Sequence, residues 1–137
     1  MFGALNTSTS ALVAQRTRME VIAANLANAG SIDDGSGKNV PFRRRLAILS
    51  PGADGSPAGR RAPGVHVKEI EFDPSEFRKV HSPGHPLADE AGYVAHPNID
   101  PMTEQINALE VARAYEANIQ AAEATKSMMQ AALRLLA

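Results

Sequence analysis

Every proline in this chain lies between Pro41 and Pro101, and every glycine except Gly3 lies between Gly30 and Gly92. Proline lacks the amide proton a helix needs, and glycine costs the most backbone entropy to fix, so the two interrupt regular structure more than any other residues. Their confinement leaves two breaker-free ends around a breaker-rich middle of the 137-residue chain. The pattern predicts a mainly α fold with a small β-rich middle. Long N- and C-terminal helices would pack antiparallel as a coiled-coil-like pair, with a β-hairpin head between them. Residues 1–30 and 98–137 would then form one helical unit and 31–97 a β-rich, irregular segment.

The first helix is expected from Asn6 to Ala29. Asn6, Thr7 or Ser8 could cap its start, and Gly30 could end it in the left-handed conformation. Leu5, Leu12, Met19 and Leu26 recur every seven residues, and Ile22 joins the same face. That is a thin coiled-coil seam. The second helix has Asp100 as a cap, Pro101 at its first position and Glu104 near its positive end. Its apolar residues fall into two stripes slightly out of phase. Met102, Ile106 and Leu109 form one; Ile119, Met129 and Leu133 belong to the other. A stutter near Leu109 to Arg113 would reconcile them. Isolated helices with such narrow stripes are marginal in water, so the two should bury their seams against each other. The C-terminal helix still carries more apolar surface than one seam can hide.

In the middle, Phe42 to Leu49 and Val65 to Phe72 read as strands. In the second, Val65 and Val67 share one face while Ile70 and Phe72 share the other, which predicts a bulge near Lys68-Glu69. A shorter strand includes Tyr93-Val94, and Ser50 to Gly64 reads as a loop.

The same residues exclude several functions. The net charge is −1 and there is no Trp, so Arg43-Arg44-Arg45 and Arg60-Arg61 lack the stacking platforms and basic balance of a nucleic-acid binder. They suit acidic neighbours or a solvated strand edge. There is no Cys, and His66, His81, His85 and His96 form no metal-binding spacing. Asp33 to Asn39 lacks the alternating acids and closing Glu of a calcium loop. No nucleophile elbow or pocket-forming carboxylate pair appears, so an enzyme, a cofactor or a small-molecule substrate is not expected. Met1 to Ser10 has neither the basic nor the apolar region of a secretion signal, and no run reaches the roughly 18 apolar residues of a membrane span.

The stretch SALVAQRTRMEVIAANLANAG resembles the N-terminal signature of the bacterial flagellar basal-body rod family. PFRRRLAIL and GVHVKEIEFDPSEFRKVHSPGHPLADEAGYVAHPNIDPMTE resemble the middle of a short proximal-rod branch of it, and INALEVARAYEANIQAAEATKSMMQAALRLL its C-terminal helix. Two departures are Gly30-Ser31 after Asn28-Ala29 and His81 in the HSPGHP turn. The resemblance implies a structural subunit of the proximal rod, exported by the flagellar type III apparatus without signal cleavage and lodged in the periplasm-spanning rod. Its implied partners are copies of itself, other proximal and distal rod proteins, and the membrane-ring and export-gate junction.

On this reading Leu5, Leu12, Met19, Ile22 and Leu26 pack in the assembly with Ile106, Leu109, Ile119, Met129 and Leu133. Arg16, Arg18, Asn25 and Asn28 are candidates for polar contacts between subunits, as are Glu110, Arg113, Glu116 and Asn118. Glu110, Arg113 and Glu116 have the i,i+3 spacing of helical ion pairs. The alternatives are another rod subunit of the same family, a soluble helical adaptor that binds partner helices, or a small hydrolase with an unrecognised site.

Overall fold

A computed structural model describes residues 2–33, 35–52 and 63–136. Helix α1 spans Phe2–Ala27 and helix α2 spans Pro101–Leu136. Between them lie two antiparallel pairs. Strand β1, Arg45–Pro51, pairs with β2, Val65–Phe72, while β3, Arg78–His81, pairs with β4, Tyr93–His96.

Helix α1 starts before its expected caps. Asn6, Thr7 and Ser8 lie inside it, and the Thr7 hydroxyl donates back to the Gly3 carbonyl at 2.9 Å. Inside a helix such a hydroxyl bonds the carbonyl four residues back instead of capping, at a slight cost to the helix. At the other end Gly30 does not enter the left-handed region. The Asn28 side-chain amide donates to the Ala24 carbonyl at 2.8 Å, and the Ser31 amide to the Asn28 carbonyl at 3.0 Å. These bonds take up carbonyls of the last turn, so no left-handed glycine is needed.

Helix α2 begins as its sequence dictates. Asp100 Oδ1 accepts the Met102 amide at 3.2 Å, Oδ2 accepts the Thr103 hydroxyl at 2.6 Å, and Pro101 opens the helix. At 1.5 Å per residue, its 36 residues reach about 54 Å. The end of α1 meets the start of α2 through Asn25 and Glu104, so the packed helices run antiparallel.

Strand β1 begins at Arg45 rather than Phe42. The preceding backbone is already committed elsewhere: the Phe42 amide donates to Ser31 and the Arg44 amide to Asn98 Oδ1. In the β1–β2 ladder Ile48 pairs with Glu69 and Leu49 with Val67, leaving Lys68 as the extra residue of a bulge. The bulge accounts for the phase switch seen in the sequence. The β1–β2 hairpin lies against α1. The interior of the Ser50 to Gly64 loop, 53–62, and with it Arg60-Arg61, falls outside the described residues. Among the described residues the buried apolar set is small: Ala14, Val21 and Ile22 of α1, Val111 of α2, and Val94 and Ile99 of the middle.

Candidate assembly interface

The helix pair and the middle segment meet at a buried polar clasp. Asn25 is 0 % exposed and Glu104 1 %. Burying a carboxylate is costly unless charge and hydrogen bonds compensate it. Here Arg44, just before β1, supplies both: its Nε and Nη2 donate to Glu104 Oε1 at 2.9 and 2.6 Å. The second oxygen, Oε2, accepts from Asn25 Nδ2 at 3.0 Å. The Asn25 amide group also grips the start of β1, donating to the Arg45 carbonyl and accepting the Arg45 amide, both at 2.9 Å. One side chain of α1 thereby holds a strand and the other helix together.

A second ring of contacts surrounds the clasp. Arg44 Nη1 reaches Asp73 Oδ2 at 3.2 Å. Burial opposes the Arg44 charge, but hydrogen bonds and charge from Glu104 and Asp73 outweigh it and raise its pKa above the usual arginine value. Asp73 is held below its ordinary value, first by the side chain and backbone amide of Ser75 and further by Arg44. Arg43 lies 4.2 Å over the Phe77 ring, and Arg45 lies near the rings of Phe42 and Phe72. Arg44 thus finds its acids within its own chain, while Arg43 and Arg45 find aromatic faces.

The expected packing residues divide between inside and outside. Ile22 is buried, and Leu5, Leu12, Met19, Leu26, Ile119 and Met129 are half-buried. Ile106, Leu109 and Leu133 are 52–62 % exposed. The inner face of α2 is set by Glu104, Val111 and Thr125, which places Met102, Ile106 and Leu109 on the opposite side. One α2 stripe therefore faces α1, and the other is exposed among the described residues.

The expected polar contacts divide too. Asn25 is spent inside the clasp, and Asn28 and Asn118 serve their own helices, donating to Ala24 and Ala114 at 2.8 Å. Arg16 pairs with Glu20 at 3.0 Å on an exposed face, and Arg18 donates to Gln15. Glu110, Arg113 and Glu116 are exposed, and among the described residues no ion pair links them. Sequence reasoning missed the clasp as a unit. The available signal was a polar residue on each inner stripe: Asn25 three residues after Ile22, and Glu104 seven before Val111.

Two family models match the chain at the two helices. "Flagella basal body rod protein" covers residues 5–30, and "Flagellar basal body rod FlgEFG protein C-terminal" covers 90–135. The chain is 39% identical to the flagellar basal-body rod protein FlgC of Bacillus subtilis (strain 168), across 98% of this chain and 97% of the relative. The chain belongs to the FlgC family of flagellar basal-body rod proteins. FlgC of Yersinia enterocolitica is 40% identical across 92% of this chain and 90% of its own, and that of Aquifex aeolicus (strain VF5) 37% across 95% and 92%. The chain is a structural subunit of the flagellar basal-body rod. Family membership puts it in the basal body among other rod proteins. Among the described residues no helix is long and apolar enough to cross a membrane, and no cluster of His, Cys, Asp or Glu could hold a metal ion.

Proposed function

We propose that this rod subunit belongs to the proximal rod and builds it by packing its terminal helices, through coiled-coil-like seams, against further copies and against other rod proteins. One observation carries the reading: α2 bears an exposed apolar stripe on the side opposite the one that packs on α1. Val111 on the inner side is 0 % exposed, whereas Met102, Ile106 and Leu109 on the outer side are 65, 52 and 60 % exposed. Their i, i+4, i+7 spacing makes a continuous stripe, and such a stripe on a helix marks a packing face. Further along α2, Met128, Leu133 and Leu135 are exposed as well.

In this reading residues 1–30 and 98–137 form the rod-building unit, which transmits torque by close helix packing, and 31–97 sets subunit spacing. Glu110, Arg113 and Glu116, which form no ion pair among the described residues, together with Arg16 and Arg18 supply polar contacts between subunits. Export runs through the flagellar type III apparatus without signal cleavage. The rod crosses the periplasm and meets the membrane-ring and export-gate junction below. The role is mechanical: it uses no catalysis, cofactor, nucleic acid or small-molecule substrate.

The test is a double substitution, Ile106→Asp with Leu109→Asp. Both side chains are solvated in the single chain, so the purified variant keeps its helix content. Rod assembly and swimming are lost, because two charges enter a dry interface. A variant that swims and builds rods like the parent overturns the reading.

A further inference from the structure

We propose that Ser10 and Gly64 form a latch that fastens the β1–β2 hairpin along α1 and orders the N-terminal half of that helix. The clasp fixes the hairpin at one end only, where Asn25 bonds both the amide and the carbonyl of Arg45. Ser10 fixes the other. Its Oγ donates to the Thr7 carbonyl at 2.8 Å and accepts the Val65 amide at 3.1 Å, which leaves its donor committed and its acceptor in use. Val65 opens β2 and pairs with Pro51, the last residue of β1.

The spacing of the two anchors agrees with the hairpin's length. From Ser10 to Asn25, α1 rises about 22 Å at 1.5 Å per residue. From Arg45 to Pro51, β1 advances about 20 Å at roughly 3.3 Å per residue. The strand pair therefore lies along the helix and is pinned at both ends, instead of crossing it at one point.

Gly64 makes the latch fit. It stands at a φ of 113°, in the region L side chains rarely adopt, and accepts the Gly52 amide at 2.9 Å. A Cβ there would lie 2.6 Å from Ser10 Oγ and 3.3 Å from Ser10 Cβ. A side chain at 64 would push the hairpin off the helix at the point where Ser10 holds it. The helix needs this support because its first half contains Asn6, Thr7, Ser8, Thr9 and Ser10 in succession, all weak helix formers. The inference rests on hairpin placement alone and is independent of how the chain assembles.

Hydrogen exchange on the isolated full chain tests it, because helix propensity and the latch predict opposite signs. Alanine is the better helix former, so propensity alone predicts slower exchange along α1 in Ser10→Ala. The latch predicts exchange about fivefold faster at the amides of residues 7–14 and at Val65, the equivalent of one lost hydrogen bond. Unchanged or slower exchange there overturns the proposal. Gly64→Ala should speed exchange at the same amides by about tenfold or more, since backbone strain adds to the contact. In the double variant the alanine at 64 should cost less than it does alone, because its nearest obstacle, Ser10 Oγ, is gone. If it costs the same in both backgrounds, strain accounts for the whole effect and the latch is overturned.

Discussion

The two ends of the helix pair are built on opposite terms. Where α1 ends and α2 begins, the interior is polar: Asn25 and Glu104 are fully enclosed and every bond they make stays inside the chain. At the far end of α2 the exterior is apolar, with Leu133 62 % and Leu135 88 % exposed. The usual arrangement, apolar inside and polar outside, is reversed in both places. At the first end, partners held in fixed directions determine how strand, helix and helix meet. At the second, apolar side chains await cover from neighbouring molecules, on the proposed assembly reading. The difference separates the clasp, whose polar groups are satisfied within the chain, from apolar surface that the proposed rod would cover: Leu133 and Leu135 at the far end of α2, and Met102, Ile106 and Leu109 on its outer side.

The largest expected effect comes from breaking the clasp. Glu104→Ala strips the acceptor from Arg44 Nε and Nη2 and from Asn25 Nδ2 in a dry site. The cost is about 3 kcal/mol, as for other buried pairs that lose one partner. Of a total stability of order 5–15 kcal/mol, that is a large share. Urea denaturation of the isolated chain measures it. An unchanged midpoint would mean that the clasp does not hold the two helices, and the contrast between the ends would collapse.

Acid should act at the same end with a smaller effect. Asp73 has its folded pKa depressed below the ordinary 3.8, mainly by Ser75 and further by Arg44. A depressed carboxylate stabilises the fold above its unfolded pKa, and that contribution is lost as pH falls through the folded value. Stability therefore holds flat on this account down to about pH 3.8 and declines below it. Asp100 is depressed by Thr103 and the Met102 amide and adds to the same acid arm. Because Asp73 is partly solvated, the loss is smaller than for Glu104→Ala. Asp73→Asn should flatten the arm in a pH series of urea midpoints; an arm as steep as the parent's would show that Asp73 does not link the clasp to acid.

What the sequence made legible follows the range over which the physics acts. The two helices, the Asp100 cap and the Lys68 bulge depend on residues within a few positions of each other, and punctuation and periodicity expose them. Strand β3 was not legible: Arg78-Lys79-Val80-His81 carries one apolar residue and no alternation, and all four are exposed. Its extension comes from pairing with β4. The clasp was hidden for a different reason. Arg43, Arg44 and Arg45 look alike in the chain, yet one covers a ring, one neutralises a carboxylate 60 positions away and one lies near two rings. Only the folded geometry separates them. The α2 stripes were visible, but which of them meets α1 depended on Glu104, read from sequence as a charge at the helix start.

The smallest effect is expected at the far end of α2, where a null result in one measurement gives meaning to the other. Leu135 is 88 % exposed, so Leu135→Ala removes almost no surface that the single chain hides from water. Its urea midpoint should stay within about 0.5 kcal/mol of the parent, the range of ordinary surface substitutions. On the proposed assembly reading the same substitution should weaken incorporation into rods, because a side chain covered there would leave a void. The paired measurement is midpoint against incorporation for the one variant. A shift in midpoint as large as that of Glu104→Ala would place Leu135 in the chain's own core and erase the distinction between the two ends. An unchanged midpoint with reduced incorporation assigns the stabilising contribution of this side chain to the assembly rather than to the subunit.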